Sequence, residues 1–209
     1  ASIDFSQYRN TQFYSLADSG VYDAMNQSVE FSDGDYFLFL NAGDVLFSRT
    51  ILSEIAKIIE NNSNCHCFSG QTLQINNKTN EPCRLLGSAL IHRIFPLSQC
   101  PHPSFIISRK IIESINPLFD ADLFIASDYK QQLIIRKSNL WRVLYINKIL
   151  SIMPLGGKST NSISSYLRGY REVASFSYDL FGIVFLYILF VKLILNIFTR
   201  FYSIPKHNF

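Results

Sequence analysis

The chain has 209 residues, of which 48% are hydrophobic, 14% aromatic and 17% charged, enough for one well-buried core plus an appendage and too apolar for general disorder. Its net charge of +3 is modest, and the cations Arg168, Arg171, Lys192, Arg200 and Lys206 gather around an apolar tail, which suits an anionic membrane surface and excludes a nucleic-acid groove. The cysteines Cys65, Cys67, Cys83 and Cys100 are irregularly spaced and no secretory leader is expected, so a disulfide framework is excluded in favour of thiols in a reducing cytoplasm.

The first residues begin in mid-pattern, and the chain is expected to be cut at its front. Gln12 to Leu16 reads as a strand before the polar turn Ala17-Asp18-Ser19-Gly20. Val21, Met25 and Val29 recur at four-residue steps and predict a helix that Ser32-Asp33-Gly34-Asp35 closes. Tyr36 to Leu40 has no polar alternation, the signature of a strand in the middle of a parallel sheet covered by helices. It runs straight into Asn41-Ala42-Gly43-Asp44. Ser48 then caps a helix with Ile51, Leu52, Ile55, Ile58 and Ile59 on one stripe, ended by Asn61-Asn62-Ser63-Asn64.

Short strand-like runs follow at His66 to Phe68, Thr72 to Ile75 and Cys83 to Leu86, around a turn at Asn76 to Asn80. Cys65-His66-Cys67 has no second matching pair and reads as strand or loop thiols rather than half of a metal site. Ser104 to Ser108 is a buried strand with a short helix after it. Ser127 is the candidate N-cap of a helix starting at Asp128-Tyr129, Trp141 to Ile146 returns as a strand, and Leu155 to Asn161 is a flexible loop. Strand, acidic loop and helix in succession give an α/β class.

In open α/β sheets, ligands sit beyond the carboxyl ends of the strands, where Asp44 falls. A carboxylate there can share a hard divalent cation with a diphosphate, or can merely cap the turn; position alone leaves both open.

Asp18 to Asp44 resembles a segment of family 2 glycosyltransferases, the colanic-acid and exopolysaccharide enzymes among them, that reads approximately E-P-D-x-G-I-Y-D-A-M-N-K-G-I, then G-x-Y, an apolar strand and L-N-S-G-D. Asp18, Gly20, Tyr22 to Asn26, Leu40, Asn41, Gly43 and Asp44 match in place. Pro101-His102-Pro103-Ser104-Phe105 is similar to the family's H-Q-x-x-F, Ser127-Asp128-Tyr129 to its acidic (E/S)-D-Y, and Gly156 to Thr160 to its G-G-x-S-T, so the resemblance covers about Leu16 to Thr160.

The resemblance implies a GT-A fold, a mostly parallel sheet flanked by helices, and an inverting transfer of sugar from a nucleotide-sugar donor, UDP being the commonest nucleotide. The acceptor would be a lipid-linked or free saccharide in surface polysaccharide biosynthesis, the metal Mn²⁺ or Mg²⁺. Asp44 would be the metal ligand, with Asn41 replacing the first carboxylate of a D-x-D motif, and Asp128 the base that deprotonates the acceptor hydroxyl. Asp18, Tyr22, Asp23, Asn26, Asn41 and Lys158 would frame the donor; His102 and Tyr129 would face the acceptor.

Family members open with an apolar strand, a T-x-Y-N type loop and a second strand ending in D-G-x-S-x-D-x-T. None of these is present, so the expectation is an N-terminally truncated chain lacking a strand-helix-strand unit of roughly 30 residues. The alternative function is a catalytically inactive, membrane-bound remnant. Residues 1–162 are assigned to the partial GT-A domain and 163–209 to a membrane-associated segment. In the latter, Leu180 to Phe198 contains Lys192 as its one charge and is expected to cross or insert deeply at the cytoplasmic face of the inner or plasma membrane, with an interfacial pose or a packed core helix as the other readings.

Overall fold

In the computed structural model, residues 10–156 and 162–201 are described. Helix α1 (Val21–Glu30) starts where Gly20, at φ +151, turns the chain. Asp18 Oδ1 accepts from the Gly20 amide at 3.0 Å, and Asp23 Oδ2 reaches back to the Ser19 amide at 2.8 Å, satisfying two amides ahead of the helix. Gln12 to Leu16, expected as a strand, takes no regular structure; Tyr14 instead stacks on Phe31 with ring centroids 4.2 Å apart.

Strand β1 (Tyr36–Leu38) leads through the Asn41–Asp44 turn to β2 (Val45–Leu46) and helix α2 (Ile51–Glu60). Thr50 rather than Ser48 stands at the N-cap of α2, its hydroxyl bonded to Glu54 Oε1 at 3.0 Å. Strand β3 (Cys67–Ile75) joins the two runs read separately from the sequence, and β4 (Pro82–Leu86) returns beside it. Helix α3 (Ala89–Ile94), a 3₁₀ turn (His102–Ser104), β5 (Phe105–Ser108) and α4 (Arg109–Ser114) precede α5 (Ser127–Lys137) and β6 (Val143–Pro154). The chain continues through α6 (Ile163–Phe181), a 3₁₀ turn (Gly182–Val184) and α7 (Phe185–Phe201).

The sheet runs β1-β5-β3-β6-β2, with β4 also on β3. Among the described residues β3 and β6 pair in parallel and the other pairings are antiparallel, so the expected mostly parallel sheet is corrected to a mixed one. The edge position of β1 explains how that expectation arose. A strand apolar on both sides needs both faces covered, which does not require a central place or parallel neighbours. Phe37 points into a cluster with Tyr22, Met25, Ile107, Ile111 and Phe119, while Tyr36 and Leu38 pack on the opposite face against Ile51, Ile55, Phe68 and Ile106. Helices α1, α4 and α5 cover the first face and α2 the second.

A third cluster ties the C-terminal helices to this body: Ala126, Tyr129 and Leu133 of the α5 region pack with Val173 and Phe176 of α6 and Ile188 of α7. Residues Ile163–Ile197 are long and apolar enough to cross a membrane by length and composition. Gly182, at φ +56, breaks that run, and Asn196 Nδ2 donates to Tyr170 Oη at 2.8 Å, so α7 folds back along α6 as a hairpin. The apolar helix expected over Leu180 to Phe198 is present as α7, its start moved to Phe185 by that break. Ile188 and Val191 are buried against the domain, while Leu186, Phe190, Leu193 and Ile197 form an outward stripe.

Candidate active site

A cavity of about 830 Å³ is lined by the loop after β1, the segment ahead of β5, the first turn of α5, the end of β6 and the inner face of α7. Asn41 and Asp44 stand on one part of its wall, Asp128 and Tyr129 on another. Two carboxylates from distant parts of the sequence thus meet at one space.

The Asp44 site is made by a tight turn. The Asp44 amide donates to the Asn41 carbonyl at 2.9 Å, and Asp44 Oδ2 accepts from the Asn41 amide at 3.2 Å. Gly43, at φ +94, supplies the left-handed step such a turn needs. Burial pushes the Asp44 carboxyl above its ordinary range, and the Asn41 amide only partly opposes this.

Asp128 is buried at the first turn of α5. Its Oδ1 accepts from the Tyr129 amide at 2.8 Å and lies 3.5 Å from Tyr22 Oη; its Oδ2 accepts from Gln99 Nε2 at 2.8 Å. Ser127, expected as the N-cap, lies one residue inside the helix, and its hydroxyl accepts from the Asp120 amide at 2.6 Å. The entry to α5 is capped instead from α6: the Glu172 carboxylate accepts the amides of Phe124, Ile125 and Ala126 at 2.9–3.0 Å. That distant carboxylate fixes the loop that positions Asp128.

His102 also lines the cavity, between Phe39 and Phe119, with ring centroids 5.9 Å from each. Burial lowers its affinity for a proton, the Asp128 charge opposes this, and its Nε2 is buried without a hydrogen-bond partner. Tyr129 lines the same wall and donates to the Leu97 carbonyl at 2.6 Å. Tyr22 reaches the cavity with its hydroxyl tied to the Ile125 carbonyl at 2.6 Å; burial, then the Asp128 charge, raises its pKa.

The remaining residues assigned to the donor from sequence stand elsewhere. Asp18 and Asp23 serve the start of α1, and Asn26 brackets residue 119, donating to the Phe119 carbonyl at 2.8 Å and accepting its amide at 2.9 Å. None of these three lines the cavity. Lys158 lies outside the described residues.

Gln99 and Glu172 were not assigned to the site from sequence, and Lys192 was singled out only as the one charge of the apolar run. Gln99 precedes the Pro101-His102-Pro103 motif by two positions and could have been found by its proximity; Glu172 acts across the fold and leaves no local signal.

Among the described residues no group of three His, Cys, Asp or Glu side chains is poised to hold a metal. Asp44 is a single carboxylate whose burial a cation would relieve, so the residues present fit a divalent ion only if a bound diphosphate supplies much of its coordination.

The fold, a mixed sheet with covering helices, is shared with solved structures. No protein-family model matches the sequence, and no curated protein does. Among solved structures, S. aureus TarS residues 1–349 superposes with a TM-score of 0.53 at 17% identity, covering 84% of this chain and 50% of that one. The same S. aureus TarS fragment in complex with UDP-GlcNAc gives 0.51 at 15% identity, covering 84% of this chain and 53% of that one. The chain spans about half the length of these structures.

Proposed function

We propose that the protein transfers a sugar, with inversion, from a nucleotide-sugar donor to a saccharide acceptor held by a lipid at the cytoplasmic face of a membrane. One observation carries the reading: Asp44 and Asp128, far apart in sequence, line one cavity in a fold shared with S. aureus TarS.

In this reaction an acceptor hydroxyl attacks the anomeric carbon, the bond from that carbon to the donor phosphate breaks, and the hydroxyl proton passes to the Asp128 carboxylate. Gln99 and the Tyr129 amide hold Asp128 in one orientation for that transfer. Asp44, with Asn41 beside it, would hold Mn²⁺ or Mg²⁺ against the diphosphate, where the ion neutralises the charge of the leaving nucleoside diphosphate. His102 and Tyr129 border the acceptor, and Tyr22 and Asn41 the donor. The solved relative bound to UDP-GlcNAc makes UDP sugars the first donors to try.

A catalytically inactive, membrane-bound relative is the second reading, favoured by the lone carboxylate of the Asn41–Asp44 turn where a pair would hold a metal more firmly. A screen of nucleotide sugars with Mn²⁺ and with Mg²⁺ separates the two. The enzyme reading predicts metal-dependent donor binding, read by calorimetry, that Asp44→Ala weakens by about tenfold or more. Donor binding indifferent to both metal and Asp44 would favour the inactive relative.

A further inference from the structure

Helix α7 has two faces of opposite chemistry. Outward lies the apolar stripe of Leu186, Phe190, Leu193 and Ile197, each at least half exposed. Inward, Lys192 and Asn196 line the cavity. The Lys192 ammonium sits 5.5 Å from the ring centre of Tyr129 and 5.9 Å from that of Tyr170. Among the described residues no carboxylate lies at ion-pair distance from it. Burial lowers its pKa, and the Asp128 charge acts against that. A desolvated cation between two aromatic rings, facing a cavity and with Asp128 acting on it only from beyond ion-pair distance, is poised for an anion from outside the chain.

We infer that Lys192 binds a phosphate of the acceptor, placing a lipid-linked saccharide so that its sugar reaches Asp128 while its lipid lies along the outer stripe of α7. The inference rests on the proposed function and adds the anion site. Position separates this phosphate from the donor's: the donor diphosphate belongs to the Asp44 turn, whereas Lys192 comes in on the helix packed beside the α5 turn that carries Asp128. In a lipid-linked sugar the phosphate stands between saccharide and lipid. A cation on the helix between the base and the apolar stripe matches that order.

The test is calorimetry on the full chain and its Lys192→Met and Lys192→Arg variants, with farnesyl phosphate, farnesol and UDP as probes. Lys192→Met keeps the length and removes the charge, so its melting temperature should equal or exceed that of the parent. It should lose at least about tenfold in affinity for farnesyl phosphate, and Lys192→Arg should regain most of it. Farnesol and UDP binding should change by less than about twofold. An equal loss for UDP would assign Lys192 to the donor and overturn the inference. So would unchanged farnesyl phosphate affinity, or a lower melting temperature with no change in ligand binding, which marks a purely structural cation. If no nucleotide sugar binds the parent while farnesyl phosphate still depends on Lys192, the transferase reading fails and the anion site stands.

Discussion

His92 shows how a single side chain in this cavity wall reports on its surroundings. It is 3% exposed, stacks on Tyr145 at 4.6 Å and bonds Ser98 Oγ through Nδ1 at 2.8 Å, while Nε2 has no partner. Burial, then the Arg136 charge, pushes its pKa down to about 4 from the ordinary 6.5. The folded state therefore binds fewer protons than the unfolded chain between those values. The stabilisation is complete above pH 6.5 and is lost as pH falls towards 4. Between pH 6.5 and 5 the loss from His92 is about 2 kcal/mol. Chemical denaturation at the two pH values should show that slope in the parent and a clearly shallower one in His92→Gln. A second residue-scale feature is the hydroxyl trio Thr72, Ser104 and Ser151, fully buried and mutually bonded at 2.7–2.9 Å, in which three buried polar groups satisfy one another.

At the scale of elements, the pairing of β3 with β6 depends on Gly70. A Cβ there would meet Leu150 Cγ at 2.2 Å, and Leu150 is fully buried with nowhere to go. Gly70→Ala should cost about 3 kcal/mol of stability in thermal melting, and the Gly70→Ala/Leu150→Ala double variant should lose less than the sum of the single losses. The same glycine explains a misread element. Ser69-Gly70-Gln71 interrupts the apolar pattern, so two short strands were expected where one nine-residue strand exists. Helices α1 and α2 were legible because each carries its own apolar stripe and local stop signals, and α5 through its start at Asp128-Tyr129. The order of the sheet was not, since the residues of β1 record only that both faces are covered, not which strand lies alongside. The α6–α7 hairpin was hidden likewise: composition reveals an apolar run, but the turn at Gly182 and the Asn196–Tyr170 bond are tertiary facts. Asp44 and Asp128, singled out by motifs in the chain, line one cavity, whereas Glu172 and Lys192 approach its walls from helices that only folding brings near.

Taken as a whole, the molecule presents a cavity on one side of α7 and an apolar stripe on the other. We expect the protein to sediment with vesicles containing anionic lipid. Replacing Leu186, Phe190, Leu193 and Ile197 by Gln should abolish this while leaving the melting temperature within a few degrees, because those side chains are at least half exposed. Retention on vesicles by that variant would place membrane contact elsewhere. If, as proposed, Asp128 takes the acceptor proton in a sugar-transfer cavity, Asp128→Asn and the parent differ in turnover and not in donor affinity. The asparagine keeps the size of the side chain but cannot take a proton. Transfer should fall by about a hundredfold or more while donor affinity stays within about threefold. Equal turnover in the two proteins would remove Asp128 from that role.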